Sequence, residues 1–122
     1  MERHFLGIGA LSACLAVAAG AFGAHALRDL VSADRLAVWE TAARYQMYHA
    51  LGLLIVAYLA AQKTAGLARF GGWLFVAGTV LFSGSLYALT LTGITILGAI
   101  TPLGGLAFIA GWLVLAWDVW RR

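Results

Sequence analysis

Four apolar stretches, at about 4–27, 46–62, 70–92 and 94–117, take up most of this chain and leave it few folds. The hydrocarbon core of a bilayer is about 30 Å thick and a helix rises about 1.5 Å per residue, so about 20 apolar residues cross it once. Four such stretches predict an all-α, antiparallel, integral membrane four-helix bundle. Composition agrees. The chain is 63% hydrophobic and 11% charged, against about 25% charged residues in soluble domains. A small soluble domain buries too little of its surface to hide that much apolar area. The net charge of +3 would suggest nucleic acid in a soluble chain. Here the bases sit at helix ends and act as topology signals. The first partner is therefore the lipid bilayer, and no nucleic acid is expected.

The chain reads as one transmembrane domain, 1–122, with spans at about 4–27, 45–62, 70–92 and 96–120. Arg3 before the apolar run and Ala24-His25-Ala26 after it imitate a cleaved secretory signal. Leu11-Ser12-Ala13-Cys14 imitates a lipoprotein box. Residues after Cys14 stay apolar and three further spans follow, so the first stretch reads as a retained helix. Cys14 is the lone cysteine and forms no intramolecular disulfide. Arg3, Lys63, Arg69, Arg121 and Arg122 fall on one side of four spans. Arg28, Arg35 and Arg44 fall on the other, balanced by Asp29, Asp34 and Glu40. The positive-inside rule then makes both termini cytoplasmic, in a cell (inner) membrane. Trp73, Trp117 and Trp120 are expected in the inner aromatic belt, with Trp39 and Tyr45 in the outer one.

The segment at about 33–44 has soluble character. Ser32 or Asp34 is suited to cap a helix, and Leu36, Trp39, Ala43 and Met47 recur at helical spacing. Glu40 and Arg44 form an i, i+4 pair in the favourable order. The pattern predicts an interfacial amphipathic helix that runs or bends into the second span; a lid over an outer cavity is the functional alternative. Before the fourth span, Thr101-Pro102 favours a helix start there, because proline lacks the donor that a first helical position does not need; a helix from about 95 kinked at Pro102 is the alternative. Residues 93–100 then form an apolar connector, of a kind tolerated in lipid where protein buries it.

Helices in lipid associate through close packing, small residues and polar contacts. Gly9, Ala16 and Gly23 recur seven apart on the first span, Gly71, Gly78 and Ser85 on the third, and Gly104 and Gly111 on the fourth. These faces are expected to turn inward in a tight bundle, and the same stripes would also serve a homo-oligomer or a membrane-protein partner.

Polar residues gather at one depth. His25 ends the first span. Glu40, Arg44, Tyr45, Gln46, Tyr48 and His49 open the second, Ser83, Ser85 and Tyr87 lie on the third, and Thr101 begins the fourth. Polar residues in lipid usually face protein and often mark function, so this outer-leaflet cluster is the candidate site. A metal held by His25, His49 and Glu40 lacks ligand spacing, and neither metal nor cofactor is expected. His49 beside Arg44 would suit a proton or solute path. No acidic residue lies deep in a span to support an ion-coupled relay. Ser83 or Ser85 with a histidine would suit nucleophilic catalysis, although intramembrane serines usually bond across helices or to backbone. No catalytic residue is assigned, and an enzyme is not expected. The favoured reading is a network that orders the outer helix ends, in a protein that is structural or accessory to a membrane partner. The alternative is a small transporter or channel subunit.

Four motifs carry a resemblance. They are Gly20-Ala21-Phe22-Gly23-Ala24-His25-Ala26-Leu27; Trp39-Glu40 with Tyr45-Gln46-Met47-Tyr48-His49-Ala50-Leu51; Phe82-Ser83-Gly84-Ser85-Leu86-Tyr87; and Gly98-Ala99-Ile100-Thr101-Pro102-Leu103-Gly104-Gly105. In this order they resemble domain-of-unknown-function family 423, whose animal relative is transmembrane protein 256. The resemblance implies a four-helix inner-membrane protein and brings no activity, substrate or catalytic residue.

Overall fold

The computed structural model describes residues 2–62 and 66–122. Lys63, one of the expected topology residues, lies outside the described residues. Helix α1 runs Glu2–Ala24, α2 Ala33–Ala60, α3 Gly66–Gly78, α4 Ser85–Thr92 and α5 Thr101–Trp120. A π-helical turn, Thr79–Gly84, joins α3 to α4 in one continuous rod. Among the described residues there is no strand. Three rods, Glu2–Ala24, Gly66–Thr92 and Thr95–Trp120, are long and apolar enough to cross a membrane. The remaining helix, α2, carries Asp34, Arg35, Glu40 and Arg44 early and Gln46 and His49 in its middle. It lies among the other three, with those two middle side chains buried.

Ser32 caps α2, its Oγ accepting from the Arg35 N–H at 3.2 Å. The 33–44 segment runs without a break into the rest of α2, as one of the two expected arrangements has it, and the 28 residues of the helix extend about 42 Å at the usual rise. No glycine or proline interrupts residues 33–51, and Trp39 pins the first turns against α1. The indole Nε1 donates to the Ala19 carbonyl at 2.8 Å, and the ring lies where a side chain at Gly23 would project. Trp39 is thus buried and is a packing wedge, not a member of an aromatic belt.

Rods consecutive in the chain run antiparallel, so α2 and α5 lie parallel, with His49 beside Trp112 and Leu59 beside Arg122. Gly9 of α1 meets Ala50 and Leu53 of α2. Gly71 and Gly78 of α3 meet Leu115 and Phe108 of α5, and Gly111 meets Phe75 in return. Gly104 lies against the backbone of Leu81 and Phe82 in the π-helical turn. Missing Cβ atoms therefore set the helix spacing, as expected where close approach replaces the hydrophobic drive. Phe5, Leu53, Val56, Ala68, Phe75, Phe108 and Leu115 fill the core between them.

Gly93 stops α4 with a left-handed φ of 72°, which costs glycine little. Its N–H returns to the Leu89 carbonyl at 2.8 Å. The connector that follows is not buried by protein: Ile94 and Ile96 are exposed. Thr95–Ala99 instead winds into a 3-10 turn. Leu97 N–H donates to Ile94 O, and Ile100 N–H to Leu97 O. Local bonds thus satisfy much of its backbone, which an apolar medium requires. α5 then starts at Thr101, with Pro102 in its first turn.

At the end of the bundle that holds Glu2 and Arg122, both acids are paired. Asp118 is fully buried, with Arg121 at 3.0 Å and Arg122 at 2.7 Å. Arg122 also donates to the Leu59 carbonyl at 3.1 Å, tying α5 to the last turn of α2. Arg69 of α3 reaches Glu2 at 2.9 Å.

Candidate functional site

The polar residues grouped by sequence do not form one constellation. His25, Glu40 and Arg44 are exposed, and among the described residues neither Glu40 nor Arg44 forms an ion pair or side-chain hydrogen bond. The expected Glu40–Arg44 pair is therefore not made. Among the described residues no group of three His, Cys, Asp or Glu side chains is placed to hold a metal.

The buried members divide into separate clusters. In the first, Tyr87 of α4 donates to Gln46 Oε1 at 2.6 Å. Gln46 Nε2 turns to α1, donating to Ser12 O at 3.1 Å and lying 3.3 Å from Ser12 Oγ. The Tyr87 ring meets Trp39 edge-on at 4.6 Å. One glutamine thus joins three helices, both its amide atoms engaged.

The second cluster centres on His49. Its ring stacks on Phe108 at 3.5 Å and 7° and meets Phe75 edge-on at 5.1 Å. Trp112 Nε1 donates to His49 Nε2 at 3.0 Å, and His49 Nδ1 lies 2.7 Å from the Tyr45 carbonyl. An indole N–H only donates and a carbonyl only accepts. The geometry therefore assigns the neutral imidazole with its proton on Nδ1. A second proton would displace the Trp112 bond, so His49 is committed to packing α2 on α5.

The third cluster lies at the π-helical turn. Ser83 Oγ donates to the Ala42 carbonyl at 2.8 Å, binding the turn to α2. Ser85 Oγ bonds Phe82 O at 2.9 Å and lies 2.7 Å from Thr101 Oγ1, joining α4 to the start of α5. Neither serine hydrogen-bonds a histidine. Thr79 Oγ1 in the same turn is buried, with no hydrogen-bond partner among the described residues.

Sequence reasoning left out Ser12, Trp112 and Arg35 as site members. Trp112 had a signal, since a tryptophan in mid-span needs an acceptor for its N–H. Arg35 crosses to the end of α4, where Nη2 lies 3.5 Å from Leu89 O. A cation is favourable beside a helix C-terminus.

Two recesses share Trp112 along the α2–α5 seam. The larger, about 480 Å³, is lined by Tyr45, Tyr48, His49, Phe82, Gly105, Phe108, Ile109 and Trp112. The other, about 310 Å³, continues past Ile55, Leu59 and Leu115.

A family model described as protein of unknown function (DUF423) matches residues 19–105. The UPF0382 membrane protein YwdK of Bacillus subtilis is 54% identical over 115 residues, covering 93% of each chain. A UPF0382 membrane protein of Staphylococcus epidermidis is 52% identical over 113 residues, 93% of this chain and 92% of its own. The UPF0382 membrane protein SSP2132 of Staphylococcus saprophyticus is 53% identical over 113 residues, 93% of each. No solved structure matches the chain.

Proposed function

The chain belongs to the DUF423 family of proteins of unknown function, and on that premise we propose that it is a non-enzymatic membrane scaffold, structural or accessory to a membrane partner. One observation carries this reading. The buried polar side chains of the candidate cluster, Gln46, His49, Ser83 and Ser85, and the half-buried Tyr87 are all engaged in bonds within the bundle, most of them between helices. Such bonds order a bundle, each contributing about 0.6 kcal/mol on average in lipid.

The scaffold would sit in a cell (inner) membrane with both termini cytoplasmic. Arg3, Arg69, Arg121 and Arg122 share the end of the bundle near both termini, against Arg28, Arg35 and Arg44 at the other end, and the positive-inside rule counts such bases. A carboxy-terminal fluorescent-protein fusion should then shine, and an alkaline-phosphatase fusion at the same point should be inactive.

The functional test is His49→Ala in proteoliposomes, together with native mass spectrometry of the complex extracted from its own membrane. A scaffold predicts that the variant loses stability and that the extracted protein carries a second copy or a partner protein. A folded variant that abolishes a measurable solute flux, with the wild type running as a lone monomer, would overturn the reading in favour of a transporter.

A further inference from the structure

The seam between α2 and α5 is open to the lipid side along much of its length. α1 packs along α2 and α5 along α3, while α2 and α5 are bridged by side chains, chiefly His49 with Phe108 and Trp112. The recess of about 480 Å³ begins at Tyr45 and Tyr48. Both rings are partly exposed, at 38% and 50%. Neither hydroxyl bonds another described residue, although the nearby Tyr87 hydroxyl and Trp112 N–H are both engaged. Arg44 stands one helical turn above Tyr48, toward the membrane surface, exposed and in no ion pair with another described residue.

We propose that this seam is a binding site for one anionic phospholipid. Its phosphate accepts from the Arg44 guanidinium and the Tyr45 and Tyr48 hydroxyls, and one acyl chain lies down the recess over Phe82, Phe108, Ile109 and Trp112.

Charge selects this occupant over a second copy of the chain. A copy in parallel orientation would bring Arg44 to Arg44, whereas a phosphate complements the unpaired guanidinium and both free hydroxyls. Depth fits as well. Half of a hydrocarbon core is about 15 Å, which equals about ten helical residues. Counted from Tyr45 that reaches Ile55, where the second recess begins past Trp112. Gly105 leaves the channel open, since a Cβ there would approach the Phe82 ring no closer than 3.8 Å. The site goes beyond the scaffold reading, and holds equally if that reading fails.

The test uses purified full-length protein reconstituted in vesicles of equal phosphatidylcholine and phosphatidylglycerol, with native mass spectrometry counting the lipids retained per chain. The expected result is one phosphatidylglycerol retained in preference to phosphatidylcholine. Arg44→Gln should weaken that retention about tenfold, the loss of one charged hydrogen bond, with helicity unchanged. Arg28→Gln, a cation at the same end that lies 3.9 Å from Asp29, should leave it intact. Gly105→Leu should expel the lipid by filling the channel. Equal retention of both lipids, or undiminished phosphatidylglycerol in Arg44→Gln, overturns the proposal. If Gly105→Leu fails to fold, the two arginine variants still decide.

Discussion

Gly104 and Gly105 are chain neighbours in α5, and the packing assigns them opposite fates on replacement by alanine. A Cβ at Gly104 would strike Phe82 N and come to 2.8 Å from both Leu81 C and Phe82 Cα. All three are backbone atoms of the π-helical turn, which Ser83 anchors to α2. They have no flexible end to swing aside, so the helices must part. Overpacking of this kind costs about 1–3 kcal/mol, and rigid backbone puts it at the upper end. Alanine returns about 1 kcal/mol of helix propensity, leaving Gly104→Ala destabilised by about 2 kcal/mol. A Cβ at Gly105 meets only the Phe82 ring, at 3.8 and 4.0 Å, an ordinary contact. There the propensity gain stands almost alone, and Gly105→Ala should gain about 0.5–1 kcal/mol. The neighbours should therefore differ by about 3 kcal/mol, more than a hundredfold in the unfolding equilibrium. Detergent-driven unfolding in mixed micelles, followed by far-ultraviolet circular dichroism, measures this directly. If Gly104→Ala falls within about 0.5 kcal/mol of wild type, or Gly105→Ala loses as much as Gly104→Ala, the close approach of α5 to the turn is refuted.

Two further outcomes follow from the polar contacts. Replacing both Arg121 and Arg122 by glutamine strands the fully buried Asp118 carboxylate and should cost about 3 kcal/mol or more. Asp118→Asn, whose arginines retain access to water, should cost about 1 kcal/mol; equal losses in the same unfolding assay would contradict the assigned burial. For His49, nitrogen-15 NMR in lipid discs should show a neutral ring protonated on Nδ1. Trp112→Phe removes the one donor that the described residues offer to Nε2 and should alter that nitrogen's signal; an unchanged spectrum would count against the bond.

How much of this was legible in the sequence depends on the range of the physics. The membrane address and the all-α class follow from run lengths of apolar residues, a local property set against the thickness of the bilayer. The start of α5 was legible because proline at a first helical turn is a local backbone constraint. The polar cluster was legible only as a shared depth, because position along a span fixes height and not direction. Glu40 and Arg44 have favourable spacing, yet they stay apart in the structure. Four residues on a helix bring side chains within reach, but water competes for an exposed pair.

What tertiary structure decided was which groups meet. Gln46 joins Ser12 to Tyr87 only because α1 and α4 flank α2 at that height. His49 takes its tautomer from Trp112, 63 residues away. The π-helical turn had no signal in the spacing of residues, since one widened turn is fixed by what packs against it, here Gly104 of α5 and Ala42 of α2. The sequence by itself determined the membrane address and the all-helical class, because hydropathy and helical period act within a segment. Partner, orientation and protonation depend on atoms brought together from distant segments, and only the assembled bundle supplies them.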